Sequence, residues 1–233
     1  MIRQTLILGL TLLVSSSVPT QAGRGNASQV AATFPVASIH FEQNATDGDA
    51  EVVFEVDSGD AGLAKLTVVS PDGRTVIDFT APDASTLGIR QFRFESPEPG
   101  DVERLKSAYP EGVYNFTGTT AAGDKLHGES TLNYELPATV SFLQPGAEAE
   151  NVGTEDLKIT WTPVENVAAY IIEIEQDELD VNISAKLPGS VATFAVPEGF
   201  LLPGTEYNIG IGTVTDEGNI SFVETTLTTA GKE

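Results

Sequence analysis

Glu51-Val52-Val53-Phe54-Glu55-Val56-Asp57 decides the fold class. Side chains of an extended chain alternate between faces, so Val52, Phe54 and Val56 share one side while Glu51, Val53, Glu55 and Asp57 share the other. The stretch reads as a strand with one face in a core and one in water. Similar runs, rich in Val, Ile, Thr, Phe and Tyr, recur on both sides of it. They are separated by Gly, Pro, Asp and Asn clusters at the spacing of an all-β sandwich. The first set of strands is expected over 36–42, 50–57, 63–69, 74–80, 89–95, 113–120 and 125–134. Ser70-Pro71-Asp72-Gly73 supplies a tight hairpin turn between two of them. Asp101-Val102-Glu103-Arg104-Leu105-Lys106-Ser107-Ala108 breaks the pattern with helix formers. It predicts a helix of one or two turns, capped by Asp101, that crosses from one sheet to the other.

Further along, Glu135-Leu136-Pro137-Ala138 reads as a boundary with a very short link. A second set of strands is expected over 140–143, 157–162, 169–175, 181–186, 192–196, 206–214 and 220–228. A chain of 233 residues has room for two such units. The short link predicts restricted motion between them and an elongated arrangement.

Several residues of the second unit carry a resemblance. Leu157-Lys158-Ile159-Thr160-Trp161-Thr162-Pro163 is similar to the second strand of a fibronectin type III domain with its core Trp, and Ala169-Tyr170-Ile171-Ile172-Glu173-Ile174-Glu175 to its third. Leu202-Pro203-Gly204-Thr205-Glu206-Tyr207 resembles the turn and tyrosine corner that open its sixth strand. In the first unit Tyr109-Pro110-Glu111-Gly112-Val113-Tyr114 echoes that corner, and the unit resembles a bacterial immunoglobulin-like domain. The expected fold is therefore all-β: two tandem immunoglobulin-like or fibronectin type III-like β-sandwiches, with one short helix in the first. The divisions are 1–22 signal peptide, 23–35 flexible lead, 36–136 first sandwich, 137–229 second sandwich and 230–233 tail. The resemblance implies binding, spacing or display on exported bacterial proteins; it implies no enzyme.

The first 22 residues read as a secretory signal, with Arg3 at the start, an apolar run, and Thr20-Gln21-Ala22 before the cleavage point. The apolar run is too short to span a bilayer, so no membrane insertion is expected once the signal is removed. The predicted location is secreted or periplasmic. There is no Cys, so packing alone must stabilise the fold.

A net charge of −22 argues against nucleic acid and anionic lipid as partners. The acidity is shared, with 7 bases against 18 acids over 36–136 and 3 against 16 over 137–233, which speaks for a general surface property. The expected partner is an exported protein or surface component, with a glycan as the alternative.

Candidate sites are few. His40 and His127 lie in strands, away from any Gly-x-Ser-x-Gly elbow, and read as surface residues. Calcium needs only oxygen ligands, and the densest acidic loops offer Asp47, Asp49 and Glu51, and Asp177 and Asp180. No other cofactor is expected. Tyr109, Tyr134 and Phe200 are the aromatic candidates for a sugar platform. Arg90 and Arg93, in a strand with Phe92 and Phe94, are the candidates for an acidic partner. These readings set a glycan- or calcium-dependent adhesive module against the plain interaction or spacer module.

Overall fold

A computed structural model describes residues 31–83 and 87–231. The expected signal peptide and residues 23–30 of the lead lie outside the described residues. The first unit contains β1 (Ala32–Thr33), β2 (Val36–Asn44), β3 (Ala50–Asp57), β4 (Leu63–Val69), β5 (Thr75–Thr80), β6 (Gln91–Glu95), the helix α1 (Val102–Ala108), β7 (Gly112–Thr120) and β8 (Lys125–Leu132). One sheet runs β1-β8-β7-β4-β5; β2, β3 and β6 belong to the sheet facing it. Between them Ile39, Phe41, Val52, Phe54 and Val56 meet Leu66, Val68, Tyr114, Phe116 and Leu132 in one core. The quoted stretch is β3, with its apolar face inward as expected.

The hairpin turn forms, with the Gly73 N–H donating to the Ser70 carbonyl at 2.9 Å and Gly73 at a φ of 84° that a side chain would resist. Asp101 caps α1 through its carboxylate, which accepts the Glu103 N–H at 3.0 Å, and Leu105 pins the helix to the core.

The second unit contains β9 (Phe142–Gln144), β10 (Ala149–Val152), β11 (Lys158–Trp161), β12 (Ala169–Gln176), a 3-10 turn (Asp177–Leu179), β13 (Val181–Pro188), β14 (Thr193–Ala195), β15 (Glu206–Val214) and β16 (Ile220–Thr229). The order β14-β11-β9 makes one sheet; β13-β12-β15-β16 faces it, with β10 alongside β16. Trp161, Tyr170, Ile172, Ile174, Tyr207, Ile209 and Ile211 fill the core. Both tyrosine corners are present. The Tyr207 hydroxyl accepts the Leu202 N–H at 2.8 Å, and the Tyr114 hydroxyl donates to the Pro110 carbonyl at 3.0 Å.

The units are joined by more than the link. The end of β2 pairs in parallel with the start of β16, Glu42 opposite Ile220, Gln43 opposite Ser221 and Asn44 opposite Phe222. One eight-stranded sheet therefore runs through both sandwiches. Asn219 closes the joint: its Oδ1 accepts the Phe41 N–H at 2.9 Å, and its amide donates to the Asn133 carbonyl, the Asn133 side chain and the Glu135 carbonyl.

Four expectations need correction. Residues 31–35 are not a patternless lead, because β1 pairs in parallel with β8 and Phe34, 7% exposed, enters the core over Gly118 and Gly128. Strand β10 carries no strong apolar alternation and was not expected. Strand β8 stops at Leu132, since Asn133 to Glu135 turn to Asn219 and to Glu111, whose carboxylate accepts the Tyr134 N–H. Finally, Val53 and His40 lie on the supposedly wet face of β3 and β2, yet both are buried.

Candidate functional site

That second face of the continuous sheet, beside the joint, gathers the most unusual side chains among the described residues. Cross-strand partners share a face, so the registers set Glu42 against Glu51, His40 against Val53, Val53 against Glu95, and Glu55 against Arg93. Across the joint, Ile220 continues the Glu42 row, and Glu224, Gly210 and Glu173 form a row further along the same face. A small apolar cluster of Ala169, Ile171, Val214, Ile220 and Phe222 lies beside them. The Phe222 ring covers Gly212, where a Cβ would approach it to 2.8 Å.

Arg93 is the organising cation. It binds Glu42 at 3.2 Å, Glu55 at 3.0 Å and Glu95. Burial alone would weaken its hold on the proton, but Glu42 and Glu95 outweigh that and raise it further. Glu42, 6% exposed, is likewise pushed up by burial; the His40 hydrogen bond at 2.7 Å, the His40 charge and Arg93 win, and its carboxyl lies below the ordinary value.

The neighbouring acids shift the other way. Glu51 is pushed up to about 8, first by burial and then by the facing Glu42 and by Glu95, against the pull of Arg93. Glu173 is pushed up to about 7 by burial and by Glu175, with the Ser184 hydroxyl at 3.3 Å opposing. Near neutrality both hold protons part of the time, so this face offers carboxyl donors as well as carboxylate acceptors.

The sequence-predicted residues are only partly brought together. Glu51 lies on this face, while Asp47 and Asp49 are exposed in the turn before β3, where the Asp47 carboxylate accepts the Asp49 N–H at 3.1 Å. Asp177 opens the exposed 3-10 turn and Asp180 closes it at a φ of 52°. Among the described residues, no three His, Cys, Asp or Glu side chains are placed to hold a metal ion.

Tyr109, Tyr134 and Phe200 are half-buried in packing. The Tyr134 ring meets Phe41 edge-on at 4.8 Å and its hydroxyl donates to the Tyr109 carbonyl; Tyr109 meets Phe54, and Phe200 meets Tyr207. Arg93 is occupied by its three carboxylates, whereas Arg90 makes one exposed pair with Asp60.

Sequence reasoning passed over Glu42, Glu173 and Asn219. For Glu173 a signal existed: an acid between Ile172 and Ile174 on a strand whose other side already supplied the core. Glu42 takes its role from His40 two residues away together with Arg93, 51 residues away, and Asn219 from partners 84 to 178 residues away.

No protein-family model matches the chain. Fibronectin(III)-like modules of Clostridium thermocellum CbhA align over 84% of this chain and 92% of theirs, at 14% identity and a TM-score of 0.34. A two-domain fibronectin type III segment of chicken tenascin covers 83% and 98% at 16% identity and a TM-score of 0.33. The FN1–FN3 domains of chicken CNTN1 cover 86% and 65% at 11% identity and a TM-score of 0.35. The β-sandwich fold itself rests on the sheets, cores and tyrosine corners described above. The solved structures named here, to which this chain is similar, are fibronectin type III modules.

Proposed function

We propose that this chain is an exported, non-enzymatic interaction or spacer module that holds two β-sandwiches in one fixed relation and presents them to another exported protein or a surface component. The observation that carries the reading is the joint between the units. A short link by itself narrows the motion of two domains but does not fix their relation. Here a strand ladder and a buried, fully hydrogen-bonded Asn219 join them, an arrangement suited to a strut or a composite binding face. The acidic face beside the joint spans both units, so its shape depends on their being held together.

The test is capture on the immobilised chain from the native envelope and medium, run beside an Asn219→Ala form. Saturable, salt-sensitive retention of a defined component, weakened when the joint is loosened, supports the reading. Retention of only nonspecific material across salt and calcium conditions contradicts it.

A further inference from the structure

Sheet edges expose unpaired backbone groups, and proteins usually guard them with shortness, charge, proline or bulges. Among the described residues most edges of this fold are guarded. Strand β1 has two residues, and β9 and β14 have three each. Strand β6 carries Arg93 and Glu95 and is followed by Pro97 and Pro99. Strand β5 carries Asp78, and its ladder with β4 shifts register between Val68 and Val69.

Strand β13 is different. It has eight residues in unbroken register with β12 and forms one end of the continuous sheet, with no strand among the described residues paired on its other side. Its only charge is Lys186, and its only proline is the last residue. Leu179 and Val181, at the hairpin end, are 45% and 38% exposed. In a chain of net charge −22 this is a strand without a single acid.

We propose that β13 is a pairing edge for a second copy of this chain, in antiparallel register about a two-fold axis at Ser184. The strand is complementary to itself in that register. On the core side Val181 falls opposite Leu187 and Ile183 opposite Ala185, so apolar meets apolar. On the outer side Asn182 falls opposite Lys186, so the two lysines do not face each other, and Asp180 of one copy lies at the end where Lys186 of the other sits. The isologous contact joins two eight-stranded sheets into one. It is a weak association, because a single strand pair is small for a stable interface and the copies repel at long range. Added salt screens that repulsion and therefore strengthens the pairing, whereas it would weaken capture of a cationic partner.

Sedimentation of the full chain over rising concentration, at low and high salt, tests this. The expected result is a mass moving from one chain toward two, further at high salt. Ser184→Lys places two lysines together and should remain monomeric with an unlowered melting temperature, since the new amine can reach Glu173. Because the chain has no Cys, Ser184→Cys introduces a single thiol that a short bis-maleimide should link into a dimer, while the exposed Thr117→Cys on the opposite sheet should not link. A monomeric mass up to millimolar chain at high salt overturns the proposal. So does a dimer that survives Ser184→Lys, or one that links no better through residue 184 than through 117.

Discussion

The side-chain oxygen of Asn219 accepts the backbone N–H of Phe41 at 2.9 Å, joining positions 178 residues apart. Asn219 is 2% exposed, and its amide is spent on Asn133 and Glu135, so one side chain ties β2, the link and the start of β16. Removing it strands the buried Phe41 N–H and takes the donor from the Asn133 and Glu135 carbonyls. Asn219→Ala should cost about 2–3 kcal/mol, because a buried polar group left unpaired costs more than its hydrogen bond contributed. Chemical denaturation should show this loss and separate the unfolding of the units. The single Trp161, buried in the second, reports that unit by fluorescence.

The acidic face predicts how stability depends on pH. Folded Glu51 and Glu173 keep protons up to about 8 and about 7, while the ordinary glutamic acid value is 4.5. Their contribution is fully present below the unfolded value and is lost as pH rises through the folded ones. Glu42, held low in the folded state, has the opposite sign: its contribution is present above 4.5 and lost as pH falls through its folded value. The melting temperature should therefore rise as pH is lowered from about 9 to about 5 and fall again in stronger acid. Glu51→Gln, which keeps the shape and removes the charge, should flatten the alkaline side and raise the melting temperature there.

Phe34 makes residues ahead of the first long strand part of the core. Phe34→Ala should destabilise the first unit by about 3 kcal/mol through the cavity it leaves. Gly118→Ala approaches the same site from the other side, since its Cβ would come within 2.7 Å of the Phe34 ring and 2.8 Å of Leu63. That overpacking should cost about 1–3 kcal/mol. Denaturant midpoints check both.

The tyrosine corners give a matched pair. Tyr207→Phe leaves the Leu202 N–H without its acceptor, and Tyr114→Phe leaves the Pro110 carbonyl without its donor. Each should lower stability by about 1 kcal/mol with the fold intact. Thermal unfolding of the two variants measures it.

The sequence made the strands legible because their signal is local. Alternation in β3, the Pro-Asp-Gly turn and the Asp101 cap depend on residues a few positions apart, as do the corners at Tyr114 and Tyr207. The joint was not legible, because the register of β2 against β16 is set by contacts between distant parts of the chain. At the joint His40 comes to lie against Gly218 of the second unit, while within the first unit the pairing of β2, β3 and β6 sets Glu42 against Glu51 and gives Arg93 its carboxylates, a register that no short stretch of sequence displays. The candidate residues chosen for local acidity or aromatic character, such as Asp47 and Tyr134, are engaged in a turn and in packing for equally local reasons. Phe34 sits in a polar, patternless stretch, and only the small glycines opposite it make room for the ring.

The most direct test of the fused sheet is residue-resolved amide hydrogen exchange in the native chain at Ala45 and Glu224. The Ala45 N–H donates to the Phe222 carbonyl at 2.8 Å across the joint, and the Glu224 N–H donates to the Thr46 hydroxyl at 2.8 Å. If the two sandwiches are one unit, both amides should exchange slowly, with protection approaching that of the core strands, and should lose it in Asn219→Ala. Exchange at the rate of an open loop in the native chain would contradict the joint and the rigid module built on it.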